Sequence, residues 1–142
     1  MANVSLTTAG VLNVVEWPTP HESESLPNGN GTNTLAALTP VRKDTNGAWI
    51  PALATAASNG AGVRILLKTI TPGQTGTAIR SGLLGGLNLA SQAIGATLFL
   101  SDTSTVADAA GTVSITLGRV AAGTANQLTD ARDKLFQVDC PI

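Results

Sequence analysis

The chain has 142 residues, a net charge of −1 and 12% charged residues, with one His, one Cys and no Tyr. So thin a set of titratable and metal-ligating groups can barely assemble one catalytic or metal centre. Its basic residues form no run beyond Arg42-Lys43, so the electrostatic footprint of a nucleic-acid binder is missing.

Residues 1–40 read as an arm or irregular lead-in, and 41–142 as a β-domain. Within the arm, 11–17 is a candidate strand ended by Pro18 and Pro20, because proline cannot donate to a ladder. Pro27-Asn28-Gly29-Asn30-Gly31 is loop chemistry, and no apolar period survives from 19 to 33. A short hairpin is predicted over 41–50, around Thr45-Asn46-Gly47. The Ala-rich segment 52–57 allows one helical turn before Asn59-Gly60. Residues 63–70 alternate as a strand, with Val63, Ile65, Leu67 and Thr69 on one face and Arg64, Leu66, Lys68 and Ile70 on the other. After the loop at Pro72-Gly73, residues 77–84 are predicted as one strand with a bulge at Gly82. A short strand at Leu87-Asn88-Leu89 follows.

Residues 96–101 are apolar on both faces, the pattern of a strand buried on both sides. The cleanest period of two is 112–120, which points Val113, Ile115 and Leu117 to the core and Thr112, Ser114 and Thr116 away from it. A final strand over 134–140 puts Phe136, Val138 and Cys140 on one face. Leu, Ile, Val and Phe supply 36 residues, enough for an aliphatic core, while Ala, Thr, Gly and Ser supply 64, a building block of small-residue β-surface. The expected fold is all-β: an antiparallel β-sandwich, jelly-roll or barrel of about seven or eight short strands with an irregular N-terminal arm.

Each candidate for chemistry has a plainer reading. His21, with Glu22 and Glu24, lies in a proline-flanked loop with no second His or nearby Cys to complete a metal site. Asp102 and Asp108 frame a turn without the glycine and terminal glutamate of a calcium loop. Ser81 and Ser91 lack a nucleophile-elbow frame. Cys140 sits beside Asp139, whose charge disfavours a thiolate. Gly73-Gln74-Thr75-Gly76-Thr77 has no Walker lysine, and Asn59-Gly60-Ala61-Gly62 is half of a dinucleotide fingerprint ahead of a strand. No catalytic, metal-binding or cofactor-binding residue is expected. Phe99 and Phe136 fall on strand positions and are read as core. Trp17 and Trp49, beside Pro18 and Pro51, are either covers for the sheet or interface anchors, and they are the candidate interface residues. A lone cysteine forms no intrachain disulfide and suits a reducing compartment. No stretch has the charge pattern of an export signal or the length of a membrane span, so a protein made and used without export is expected.

Three runs carry a resemblance: Gly73-Gln74-Thr75-Gly76-Thr77-Ala78-Ile79-Arg80-Ser81-Gly82, Gly95-Ala96-Thr97-Leu98-Phe99-Leu100-Ser101-Asp102-Thr103, and Ala110-Gly111-Thr112-Val113-Ser114-Ile115-Thr116-Leu117-Gly118-Arg119-Val120. Together they resemble small structural proteins of tailed bacteriophages, above all the head decoration, or cement, proteins that coat the capsid. The similarity spans roughly residues 60–140 and leaves the N-terminal segment unmatched. It implies a non-enzymatic virion protein without cofactors. Its partners would be the major capsid protein and further copies of itself, as a dimer or trimer, with no direct contact to nucleic acid or membrane. Its place would be the capsid surface, reached by assembly in the host cytoplasm. Related β-modules occur in phage tails and fibres, so the alternative is a module that binds a host-surface glycan or another tail protein. On either reading, the arm is expected to make contacts outside its own domain.

Overall fold

A computed structural model describes residues 3–6, 13–16, 23–56, 62–89, 91–122 and 134–141, with the backbone alone for 13–16. Strands and loops build all of this, and no helix occurs among the described residues. Thirteen short strands are present where the sequence suggested seven or eight: β1 (Ser5–Leu6), β2 (Asn13–Glu16), β3 (Ser23–Pro27), β4 (Pro40–Lys43), β5 (Trp49–Pro51), β6 (Arg64–Leu66), β7 (Thr75–Ile79), β8 (Ser81–Gly85), β9 (Leu87–Asn88), β10 (Thr97–Leu100), β11 (Val106–Ala107), β12 (Thr116–Ala122) and β13 (Lys134–Asp139). They form a six-stranded sheet ordered β11-β10-β12-β13-β8-β2, a five-stranded sheet ordered β3-β7-β6-β4-β5, and the small pair β1-β9. The ladders joining these strands are antiparallel, and the two large sheets make the expected β-sandwich.

Alternation along each strand sends every second side chain into the interior. Ile65 and Ile79 of the five-stranded sheet share a core with Leu84, Leu98, Leu100, Leu117, Val120, Phe136 and Val138 of the six-stranded sheet. The opposite face of the five-stranded sheet is also covered. There Val41, Trp49, Leu66 and Ala78 pack with Leu35 and Ile70 in a second, smaller core. Leu35 and Ile70 are clamped by reciprocal backbone hydrogen bonds of 2.9 and 2.8 Å. Two cores explain why the 63–70 run is apolar on both faces: Ile65 enters one core and Leu66 the other.

The 41–51 hairpin forms as read. Gly47 takes a positive φ of 77°, and the Asp44 carboxylate accepts from the backbone N–H of Asn46 (2.8 Å) and Ala48 (2.9 Å). At 112–117 the expected burial holds, with Ile115 and Leu117 buried and Thr112, Ser114 and Thr116 exposed, but the strand itself starts only at Thr116.

Four expectations are corrected. First, residues 1–40 are no separate arm in their described parts. β1 pairs β9, β2 is an edge of the six-stranded sheet beside β8, β3 is an edge of the five-stranded sheet beside β7, and Val4, Leu35 and Leu38 are buried. Second, 77–84 is not one bulged strand: β7 and β8 lie in different sheets, and the chain crosses between them at Arg80. Third, 96–101 is buried on one face only, with Leu98 and Leu100 inside, Phe99 half-buried and Thr97 exposed. Fourth, the Ala-rich segment from 52 to 56 makes a turn without helix, and Ala57 lies outside the described residues.

Candidate functional site

Several of the reactive groups found in the sequence are engaged in holding the fold. Burial pushes the Cys140 thiol up to about 12; Arg64 and Arg80 pull it back only in part, and Asp139 adds to the rise. Its Sγ lies 3.8 Å from the Leu117 carbonyl, to which it donates. Such a thiol stays protonated and inert at neutral pH. The Asp102 carboxylate accepts from the Thr112 hydroxyl at 2.7 Å and from the Thr112 backbone N–H at 2.8 Å, and these bonds lower its pKa. Asp102 therefore ties the turn after β10 to the approach of β12.

Asp108 serves elsewhere. It accepts from the Gln92 side-chain amide at 3.3 Å, while the buried Lys134 ammonium donates to the Gln92 carbonyl at 2.6 Å. Glu24 pairs with Lys43 across 2.6 Å in a half-open ion pair. Ser81 lies half-buried on β8, and Ser91 is exposed in the loop before β10. Gly73 occupies a tight turn in which Gln74 donates to the Thr71 carbonyl. No group of three or more His, Cys, Asp or Glu able to hold a metal occurs among the described residues. His21, Glu22 and 59–61 lie outside them.

The two tryptophans separate. Trp49 is 1% exposed, and its indole N–H donates to the Gly76 carbonyl at 2.9 Å in the interior of the second core. Of the two readings of Trp49, the burial fits the structural one: the ring packs with Leu35 and Ile70 and leaves almost none of its surface exposed. Gly76 makes room for this packing, since a Cβ there would sit 2.8 Å from the Ile70 side chain. Trp17, the other candidate, lies outside the described residues.

Two hollowed regions lie on the surface of the described residues. The first is an apolar groove of about 400 Å3 between Val4, Leu6, Leu38 and Val106. It runs on through Ala36, Thr39, Ser104 and Thr105 into a second hollow. The two non-glycine residues with positive φ among the described residues stand on its walls, Leu38 at 76° and Ser104 at 61°. Each conformation costs about 1–2 kcal/mol, offset here by fixed hydrogen bonds: Leu38 N–H donates to the Leu66 carbonyl at 2.8 Å, and the Ser104 hydroxyl donates to the Pro40 carbonyl at 3.0 Å.

The second depression is polar and lies on the outer face of the six-stranded sheet, lined by Thr97, Thr116, Gly118, Arg119, Gln137 and Asp139. Sequence reasoning missed it, because its residues come from three strands and its only local mark is Gly118 inside a regular apolar alternation.

These features define an antiparallel β-sandwich in which Cys140, Asp102 and Trp49 hold the fold, with an apolar and a polar hollow on the surface of the described residues. No family model, no curated protein and no solved structure matches the chain.

Proposed function

We propose that the chain is a non-enzymatic structural virion protein that binds the outside of a phage capsid and stabilises it. The observation that carries this reading is the resemblance of the three runs to capsid decoration proteins. In the fold those runs become β7 with its step into β8, β10 with its turn, and the Asp102-anchored approach to β12. Thus the resemblance falls on the framework of the sandwich.

The disposition of the side chains supports the same reading. Cys140, Asp102 and Trp49 each hold structure together. A decoration protein works by adding contact area between shell subunits, and a charge-poor face loses little to desolvation when it docks. The partners on this reading are the major capsid protein and further copies of the chain, as a dimer or trimer, at the capsid surface.

Antibody-gold labelling of purified virions tests it. Label spread over the head supports a decoration role. Label confined to the tail or its fibres would replace that role with the tail or fibre module, and virions without label would remove both.

A further inference from the structure

The polar hollow on the outer face of the six-stranded sheet has a structural cause. Leu98 of β10 pairs with Gly118 of β12, yet the next residue, Phe99, pairs with Thr116. Leu117 is therefore an extra residue, and Leu117 and Gly118 together oppose one position of β10, which is a β-bulge. Both bulge residues are buried. The exposed residues on either side are Thr116 and Arg119. A regular strand sends a side chain outward at every second residue. Here the outward row skips from 116 to 119, and the gap leaves a trough of about 280 Å3 floored by the Gly118 backbone.

The geometry points to this trough as a binding site for a saccharide, one neutral pyranose ring in contact and its neighbours in solvent. Thr97 and Thr116 each bring a hydroxyl that both donates and accepts. Arg119 brings a fork of donors, Gln137 a donor and an acceptor, and Asp139 two acceptor oxygens. Arg119 Nε donates to Gln137 Oε1 at 3.2 Å, which orients the guanidinium before any ligand arrives. One cation and one anion balance within the lining, so no phosphate or free metal ion is favoured by net charge. A ring carrying adjacent hydroxyls matches an alternation of donors and acceptors of this kind. Phe99, half-buried, is the cross-strand partner of Thr116, outside the lining of the trough itself. The volume is at the low end for small-molecule pockets, which limits contact to one ring.

The test is a set of two-dimensional 15N NMR titrations of the full chain with glucose, galactose, mannose, rhamnose, N-acetylglucosamine and N-acetylgalactosamine, with inorganic phosphate in parallel. At least one sugar is expected to bind with a dissociation constant of about 1–10 mM, the scale of a few net hydrogen bonds. The shifts should fall on Thr97, Thr116, Gly118, Arg119 and Gln137. Arg119→Ala and Asp139→Ala should each weaken binding roughly 10-fold or more, the loss of one charge-assisted hydrogen bond. Both residues are exposed, so the thermal midpoints of the variants should match the parent. The proposal is overturned by shifts at the trough with none of these sugars, by sugar binding that survives both substitutions, or by phosphate binding there more tightly than every sugar.

Discussion

Gly118→Ala probes the bulge that shapes the outer sheet face. Gly118 has a φ of +152°, and a Cβ at this position would lie 2.0 Å from the Gln137 carbonyl oxygen and 2.9 Å from Phe136 Cε1. The nearer atom is backbone of β13, held in register by the pairs Gly118↔Val138 and Arg119↔Gln137. Relief therefore requires β12 and β13 to separate, or Phe136 to leave its place in the core. A suitable control is Gly95→Ala. Gly95 also has a positive φ, +89°, but nothing lies within 4 Å of its Cβ position. The control should lose only the backbone term, about 1–2 kcal/mol. Gly118→Ala should lose that term plus an overpacking cost of about 1–3 kcal/mol or more. Urea denaturation followed by tryptophan emission reads the difference directly, through midpoints compared at unchanged slope. Equal losses in the two variants would refute the close approach of β12 and β13 at Gly118.

Three further outcomes are expected. Leu117 is fully buried between the sheets, so Leu117→Ala should cost about 2–5 kcal/mol in the same urea assay, whereas the exposed Thr116→Ala should stay within about 0.5 kcal/mol; similar losses at both would show the alternation to be misassigned. Because the Cys140 thiol rises from 9.0 to about 12 on folding, the unfolded chain gives up this proton first, and stability should fall as pH climbs through that window. Cys140→Ala should flatten this alkaline decline, and a thiol reagent at neutral pH should label the parent only after denaturation. Deleting residues 1–40 removes β1, β2 and β3 and takes Val4, Leu35 and Leu38 from the cores, so the truncated chain should lose cooperative thermal unfolding; a sharp transition in calorimetry would restore the idea of a separable arm.

Where one face of a strand is apolar and the other polar, the fold was legible in the residues. The alternation at 112–117 predicts the observed burial, and the turn residues at Thr45-Asn46-Gly47 predict the hairpin. Edge strands were not legible. Ser23–Pro27 carries a single large apolar residue, Leu26, because an edge strand with a largely exposed face needs little apolar surface to pair with β7. The step between sheets at Arg80 was hidden for a different reason: β7 and β8 are both half apolar, and periodicity alone does not say which partner each strand takes. For Trp49 the residues left a structural role and an interface anchor both open, because its neighbours along the chain suggest a strand edge, while its burial comes from Leu35 and Ile70, which only the tertiary fold brings over it. Of the polar trough, no residue was singled out in the sequence as a binding residue. Its six lining residues span positions 97 to 139, and only strand register brings them together.

The capsid role is tested most directly by quantitative co-sedimentation of the purified, folded chain with undecorated tailed-phage capsids. Decoration predicts saturable binding at a fixed whole-number ratio to capsid subunits, with filled shells resisting heat or denaturant better than bare ones. A folded chain that stays in the supernatant at every concentration, or that pellets without saturating and leaves shell stability unchanged, would contradict it.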